Sequence, residues 1–321
     1  MFLIIALQAL WASSIPISKI LLTVAPPILV TGIRMTCAGA LLLAYQSLFA
    51  RASIRLAHKH WWLYAQIIFF GIYAKYILRN WGLTAMTTTK MAFMLNITPF
   101  LVALFSYWAF NERLSRLQWI GLILGFLGLI PILCLSCPAE QMHTIFFFSW
   151  AELAILAEIV AHSYALILTR TMVKEFGHSA SLTNGIRMLG GGILALITAA
   201  CVEQCTPALQ EPALYGWLAA LIVISNIICH NFYIYLLKKY SATFLSFTDF
   251  LSPLFVACYG WLFLHETITW HYYLAGITIF IGLYLFYKDE LETQFTFKPA
   301  FSTGWIRQPL KVAIKSEQKE V

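Results

Sequence analysis

Nine ionisable side chains stand inside or at the ends of long apolar runs: the bases Lys19, Arg34, Lys75, Arg79, Lys90 and Arg187, and the acids Glu152, Glu158 and Asp249. In lipid an ionised group costs roughly 2.5–3.5 kcal/mol at the bilayer centre, so such residues pair, snorkel or line a wet cavity. Glu158 lies near the middle of its run, and His162 follows four residues later on the same helical face. An acid beside an imidazole suits a proton relay or a counter-charge for a cationic substrate group. A structural ion pair with a basic residue of another helix explains Glu158 equally well. Lys75 and Arg79 share a face in the same way, flanked by Tyr73, Tyr76 and Trp81, with Lys90 near the same level. Together these cations suit a carboxylate or a phosphate, and the rings suit stacking on a planar or cationic group. Arg79 and Lys90 also suit snorkelling to the interface, a weaker account of the deeper Lys75.

Asp249 precedes Pro253 by four residues, and Leu95 precedes Pro99 by four, with Asn96 beside it. Proline has no N–H, so each frees a carbonyl from its helical bond. Matching breaks in matching helices point to a binding site; a packing kink is the plainer alternative. Asn226 and His230 share a helical face and are expected to join the same cavity. Arg34 and Arg187 are expected to set structure, each capping helix carbonyls at an opposite gate. Lys19, Glu112 and Glu266 are expected to have similar end-of-helix duties.

Other patterns carry no chemistry. His265-Glu266 with His271 lacks the spacing that puts two imidazoles on one metal-binding face. There is no Walker A pattern, no nucleophile–base arrangement, and nothing that calls for a cofactor. Cys134, Cys137, Cys201 and Cys205 fall toward one side, where a cross-loop disulfide is an option in an oxidising exterior; unbonded apolar cysteines are the plainer reading.

The elements that must carry these residues follow from composition. Of 321 residues, 60% are hydrophobic and 11% charged, against roughly 25% charged in a soluble domain. A secreted disulfide scaffold, a disordered chain and a typical cytosolic enzyme are excluded, leaving a polytopic membrane protein. Apolar runs fall near 2–23, 28–49, 61–82, 87–109, 116–135, 147–169, 180–201, 213–236, 242–264 and 269–287. Each is long enough to cross as a helix and too continuous for barrel strands. Residues 1–10 lack a basic n-region, so the first run reads as a retained span. With both termini in the cytoplasm, basic residues gather inside. The inner loops hold Arg51, Arg55, Lys59, Arg113, Arg116, Arg170, Lys174, Lys238 and Lys239, the tail holds six more, and the outer loops hold none. That is the positive-inside distribution. It accounts for the net charge of +7 without nucleic acid as a partner. The tail's lysines read as a solvated topology signal, with contact to anionic membrane lipid as the alternative.

The chain also repeats itself. Gly32-Ile33-Arg34-Met35 recurs as Gly185-Ile186-Arg187-Met188, and Gly39 matches Gly192 at the same offset of 153. Pro99, Glu112 and Gly128 match Pro253, Glu266 and Gly282 at an offset of 154. Several independent matches at nearly one offset indicate duplication. Five spans per copy is an odd number, so the second copy enters the membrane from the opposite side. The expected fold class is thus all-α integral membrane, ten transmembrane helices in two inverted five-helix repeats. The first repeat covers 1–137, the second 147–288, and a cytoplasmic tail 289–321. Such repeats place a substrate site near the midplane and rock to expose it to each side in turn.

These residues resemble the EamA family of the drug/metabolite transporter superfamily. The resemblance rests on Trp11 followed by Lys19, and on the arginines of the two GIRM segments. It continues in Pro99, then Asn111-Glu112-Arg113-Leu114-Ser115, then Gly121, Gly125 and Gly128. In the second copy the matching features are Pro253, His265-Glu266-Thr267-Ile268, Gly276 and Gly282, with Ala275 where a partner to Gly121 falls. The resemblance implies a secondary, alternating-access carrier of a small organic metabolite, with a coupling ion or an exchanged metabolite as a further partner. Buried charges of both signs suit a polar or zwitterionic substrate. Amino-acid-like metabolites fit, as does S-adenosylmethionine, with its carboxylate, ammonium, sulfonium and stackable base. A membrane-embedded enzyme and a lipid flippase are the alternatives. The enzyme would gather its catalytic residues at one interface, and the flippase would open its cavity sideways to lipid.

Overall fold

The computed structural model describes residues 2–49, 60–85, 94–136, 150–203, 212–264 and 270–294. Among them there is no strand. In lipid a helix satisfies its own backbone groups, which water cannot do there. The elements are α1 (Phe2–Val24), α2 (Pro27–Phe49), α3 (Trp61–Ile68), α4 (Lys75–Ala85), α5 (Thr98–Phe110), α6 (Arg116–Ser136) and α7 (Trp150–Arg170). They continue with α8 (Ala180–Val202), α9 (Pro212–Leu221), α10 (His230–Leu236), α11 (Ala242–Phe247), α12 (Ser252–Leu264) and α13 (Trp270–Gln294). Among the described residues, four stretches are long and apolar enough by themselves to cross a membrane: Pro27–Phe49, Trp150–Glu175, Ala180–Val202 and Tyr215–Leu236. The chain is an integral membrane protein. Leucines, isoleucines and aromatics stand exposed along the helices, and Trp61, Trp81, Trp108 and Trp150 stand exposed near helix ends, where indole suits the membrane interface.

Several helices are interrupted. α3 and α4 are joined by a π-helical stretch, Phe69–Ala74. α9 and α10 are joined by another, Ile222–Cys229, which begins 153 residues later, at the offset of the GIRM repeat. A third, Thr171–Glu175, ends the α7 helix. Before α5, Asn96 and Ile97 form a turn, and Thr98 Oγ1 donates to the Leu95 carbonyl at 2.5 Å. Pro99 therefore sits in the first turn of α5, where a missing N–H costs nothing. Between α11 and α12 the chain narrows to a 3-10 turn, Thr248–Leu251, in which the Asp249 carbonyl accepts from the Ser252 N–H. Both carbonyls freed by proline thus find local partners.

The tightest seams are glycine contacts between helices running in opposite directions. Along α2 and α8, a Cβ on Gly32 would meet Leu196, one on Gly192 would meet Thr36, one on Gly39 would meet Leu189, and one on Gly185 would meet Leu43. One residue number falls as the other rises, so the helices are antiparallel. Gly39 and Gly192 each touch backbone, with a Cβ only 2.3 and 2.5 Å from an amide nitrogen. The ends are tied as well. Both carboxylate oxygens of Glu203 accept from the first turn of α2, at Ile28 N (2.9 Å) and Leu29 N (2.7 Å). Ser179 Oγ donates to Gln46 Oε1 at 3.3 Å. α6 and α13 form a second antiparallel seam, with Gly121 and Gly282 against each other's backbone and Gly128 against Ala275 and Thr278. Between them the aromatic core of Phe244, Phe247, Phe250 and Phe286 is fully buried.

Two polar junctions close one end. Arg170 meets Glu112 with both forks, one at 2.8 Å, and lies over the Phe110 ring at 4.3 Å. Asn111, in the left-handed region at φ 57°, turns the chain out of α5 and delivers Glu112. Ser115 and Gln118 then cap each other's backbone to start α6. In the loop before α8, His178 Nε2 lies 3.2 Å from His60 Nδ1, and His178 Nδ1 lies 2.8 Å from the Tyr64 hydroxyl. Burial, with His60 and Lys238 adding repulsion, holds His178 down at about 4.

Some expectations fall outside the described residues: Lys90, Glu266, the side chain of Lys19 and those of Cys134, Cys137 and Cys205. Cys201 is an exposed free thiol. α13 carries helix past the expected end at 287 to Gln294.

Candidate functional site

The two i, i+4 pairs found in the sequence meet each other. α4 and α7 run antiparallel, so Lys75 faces His162 and Arg79 faces Glu158. Arg79 Nη2 donates to Glu158 Oε1 at 2.7 Å. Lys75 Nζ lies 3.3 Å from His162 Nδ1. An ammonium can only donate, so a charged Lys75 uses this nitrogen as its acceptor. Glu158 therefore pairs with a base from another helix, one of its two sequence-based readings, and not with His162. It is completely buried, whereas Arg79 keeps 26% of its side chain exposed.

The π-helical stretch Phe69–Ala74 ends directly at Lys75. Wide turns of this kind rotate the succeeding helix about its axis, and here they set Lys75, Tyr76 and Arg79 on the inward face. The ring of Tyr76 takes Arg34 at 5.5 Å and Lys75 at 5.6 Å from its centroid. Arg187 lies within electrostatic reach of Lys75, Tyr76, His162 and His230. Arg34 and Arg187, expected at two separate gates, are thus both placed in the central cluster. Each sits about two turns into its helix, roughly 10 Å from the start, and its long side chain covers the remaining depth. Arg187 Nε donates to Asn184 Oδ1 at 2.8 Å, while Arg34 Nε is buried with no hydrogen-bond partner.

A second group adjoins the first. Gln8 Nε2 donates to Asp249 Oδ1 and to Thr248 Oγ1, both at 2.8 Å. The ring of Trp11, one turn along α1, lies 4.8 Å from His230 and 5.4 Å from Tyr233. His230 Nδ1 reaches back to the Ser225 carbonyl at 2.6 Å, five residues earlier, a contact that the π-helical stretch makes possible. Tyr233 and Asp249 are electrostatic neighbours. Asn226 is buried, and its Nδ2 donates to Met35 Sδ at 2.9 Å. Asn96 lies at the turn before α5, and Pro253 in the first turn of α12.

Sequence reasoning does not single out Gln8, Tyr233 or Asn184. Polar residues in apolar helices are the available signal, since a buried amide or hydroxyl in lipid requires a partner. Lys75, Tyr76, Arg79, His162 and Asp249 stay partly exposed although their polar partners lie inside the bundle. Among the described residues no group of three metal ligands occurs.

Cations, two carboxylates and aromatic rings are thus gathered deep among apolar helices. The EamA-like transporter family matches residues 1–134 and 149–288. The chain belongs to this family. It is a membrane transporter of the EamA type. A protein of Chlamydia muridarum named as an S-adenosylmethionine/S-adenosylhomocysteine transporter is 31% identical over 295 residues, 91% of this chain and 92% of its own. The like-named protein of Chlamydia trachomatis serovar D is 30% identical over 91% and 90% of the two chains. An uncharacterized transporter of Synechocystis is 26% identical over 89% of each. A crystal structure of a protein 18% identical superposes with a TM-score of 0.75 over 91% of this chain and 97% of the other, a likeness of fold.

Proposed function

We propose that this EamA-family protein is a secondary active carrier of S-adenosylmethionine and chemically similar zwitterions, working by alternating access. The observation that carries the reading is the match, along nine-tenths of both chains, to transporters named for S-adenosylmethionine and S-adenosylhomocysteine. The chamber fits that chemistry. Lys75, Arg34 and Arg187 offer charge to a carboxylate, Asp249 offers charge to an ammonium or sulfonium, and Trp11, Tyr76 and Tyr233 offer faces to an onium group or a base. Glu158 holds Arg79 in place, and His162 holds Lys75.

The architecture we propose is ten spans in two inverted repeats, 1–137 and 147–288, with both termini and the tail 289–321 in the cytoplasm. Support comes from the antiparallel run of α2 against α8 and of α6 against α13, each pair being one helix and its repeat counterpart. The π-helical stretches at matching positions and the one-sided loop charges support it too.

The test is counterflow in liposomes holding only the purified chain. Liposomes preloaded with unlabelled S-adenosylmethionine or S-adenosylhomocysteine should accumulate labelled S-adenosylmethionine without ATP. Chemical conversion of the label would support an enzyme instead, and lipid scrambling a flippase. Absence of accumulation under both preloads overturns the substrate assignment.

A further inference from the structure

Among the described residues the chamber is not electrically balanced. Arg34, Lys75, Arg79 and Arg187 are its cations, and Glu158 and Asp249 its carboxylates. Glu158 is committed to Arg79 and is sealed from solvent at 0% exposure. Asp249 is held by Gln8. Among the described residues, no carboxylate pairs with Arg34, Lys75 or Arg187. Their contacts are instead the Tyr76 ring, His162 and Asn184. One Arg34 nitrogen is buried with no partner at all. Like charges gathered in a low-dielectric interior repel strongly, and an anion between them relieves that repulsion.

We propose that Arg34, Lys75 and Arg187, gathered about Tyr76, form the subsite that takes the substrate's carboxylate. This rests on the carrier reading above and assigns the orientation of the substrate within it. The carboxylate enters the basic pole. The ammonium or sulfonium points the other way, toward Asp249, Trp11 and Tyr233. Three helices, α2, α4 and α8, contribute one cation each, so the subsite straddles the seam between the two halves. Glu158 is a positioning residue: it neutralises and orients Arg79 at the edge of the pocket and does not meet the substrate.

The test compares compounds that differ only in a carboxylate, S-adenosylmethionine against its decarboxylated form, and methionine against 3-methylthiopropylamine. Binding is read as thermal stabilisation of the purified full-length chain and, separately, as competition in counterflow. The carboxylate member of each pair should bind at least tenfold more tightly. Arg34→Gln, Lys75→Gln and Arg187→Gln should each weaken it at least tenfold while changing binding of the decarboxylated member less than threefold. Lys75→Arg, which keeps the charge, should retain the preference, and separates this role from a folding defect. Equal binding of both members, equal loss of both in the variants, or stabilisation by inorganic phosphate alone overturns the proposal. Failure of S-adenosylmethionine counterflow, with the methionine pair still discriminated, overturns the substrate assignment and leaves the carboxylate subsite standing.

Discussion

Glu158 and Arg79 are worth more as a pair than either is alone. Removing one partner leaves the other's charge deep among apolar helices, which is more costly than removing both. Glu158→Gln and Arg79→Gln should each lower counterflow at least tenfold while leaving membrane insertion intact. The double variant should recover part of the lost thermal stability. Arg79 is partly solvated, so the coupling expected from the double-mutant cycle is about 1–2 kcal/mol rather than the larger figure for a sealed pair. Strict additivity would show that the contact contributes nothing. His178 gives a pH-dependent counterpart. Its folded value of about 4 lies below the ordinary 6.5, so between those values the unfolded chain binds a proton that the folded chain refuses. Stability is then full above pH 6.5 and falls as the pH drops toward 4, by up to about 3 kcal/mol. A melting series from pH 7.5 to 4.5 checks this, and His178→Asn should flatten the slope.

At the level of single helices, glycine decides where two backbones can touch. Gly39→Ala and Gly192→Ala each push a methyl into backbone across the α2–α8 seam, and should lower the melting temperature by several degrees or prevent recovery of folded protein. Gly216 faces open space, so Gly216→Ala should be neutral or slightly stabilising, as expected for alanine in a helix. Fluorescence-detected gel filtration after heating separates the two outcomes. The sequence marks Gly39 and Gly192 only through their matching offset; that they carry close backbone contacts comes from the packing of α2 on α8. The sequence also carries the two i, i+4 pairs, since 3.6 residues per turn fixes which side chains share a face. It does not carry their cross-pairing. That depends on how α4 is rotated about its own axis, and the rotation is set by a π-helical stretch whose residues, Phe69–Ala74, look like any apolar run. Arg34 and Arg187 are misplaced by sequence reasoning for a related reason: depth counted along the backbone ignores the reach of a long side chain.

For the molecule as a whole, the prediction concerns sidedness. Reporter fusions at the two ends should both report the cytoplasm, and reporters in the loops near 136–146 and 202–212 the exterior. Ends on opposite sides would remove the inverted repeat and the mechanism with it. Loop charge is what carries this expectation, because lysine and arginine are held on the cytoplasmic side during insertion. The chamber's contents are less legible. Its acids and bases stand out by being out of place in lipid, but Gln8 and Tyr233 are ordinary enough in a membrane helix to pass unnoticed.

A seam of bare backbone has no slack. Where Gly39 lies on Leu189 and Gly121 on Gly282, no side chain intervenes to flex or change rotamer, so these helices can neither slide nor part without losing contact along their whole length. In the alternating-access cycle we propose, they are expected to act as fixed axles. The parts expected to swing in that cycle are those whose regular winding is already broken, the helices through Phe69–Ala74, Ile222–Cys229 and Thr248–Leu251. Cysteine cross-links across the α2–α8 axle should therefore leave turnover running, whereas links pinning α4 to α7 should stop it.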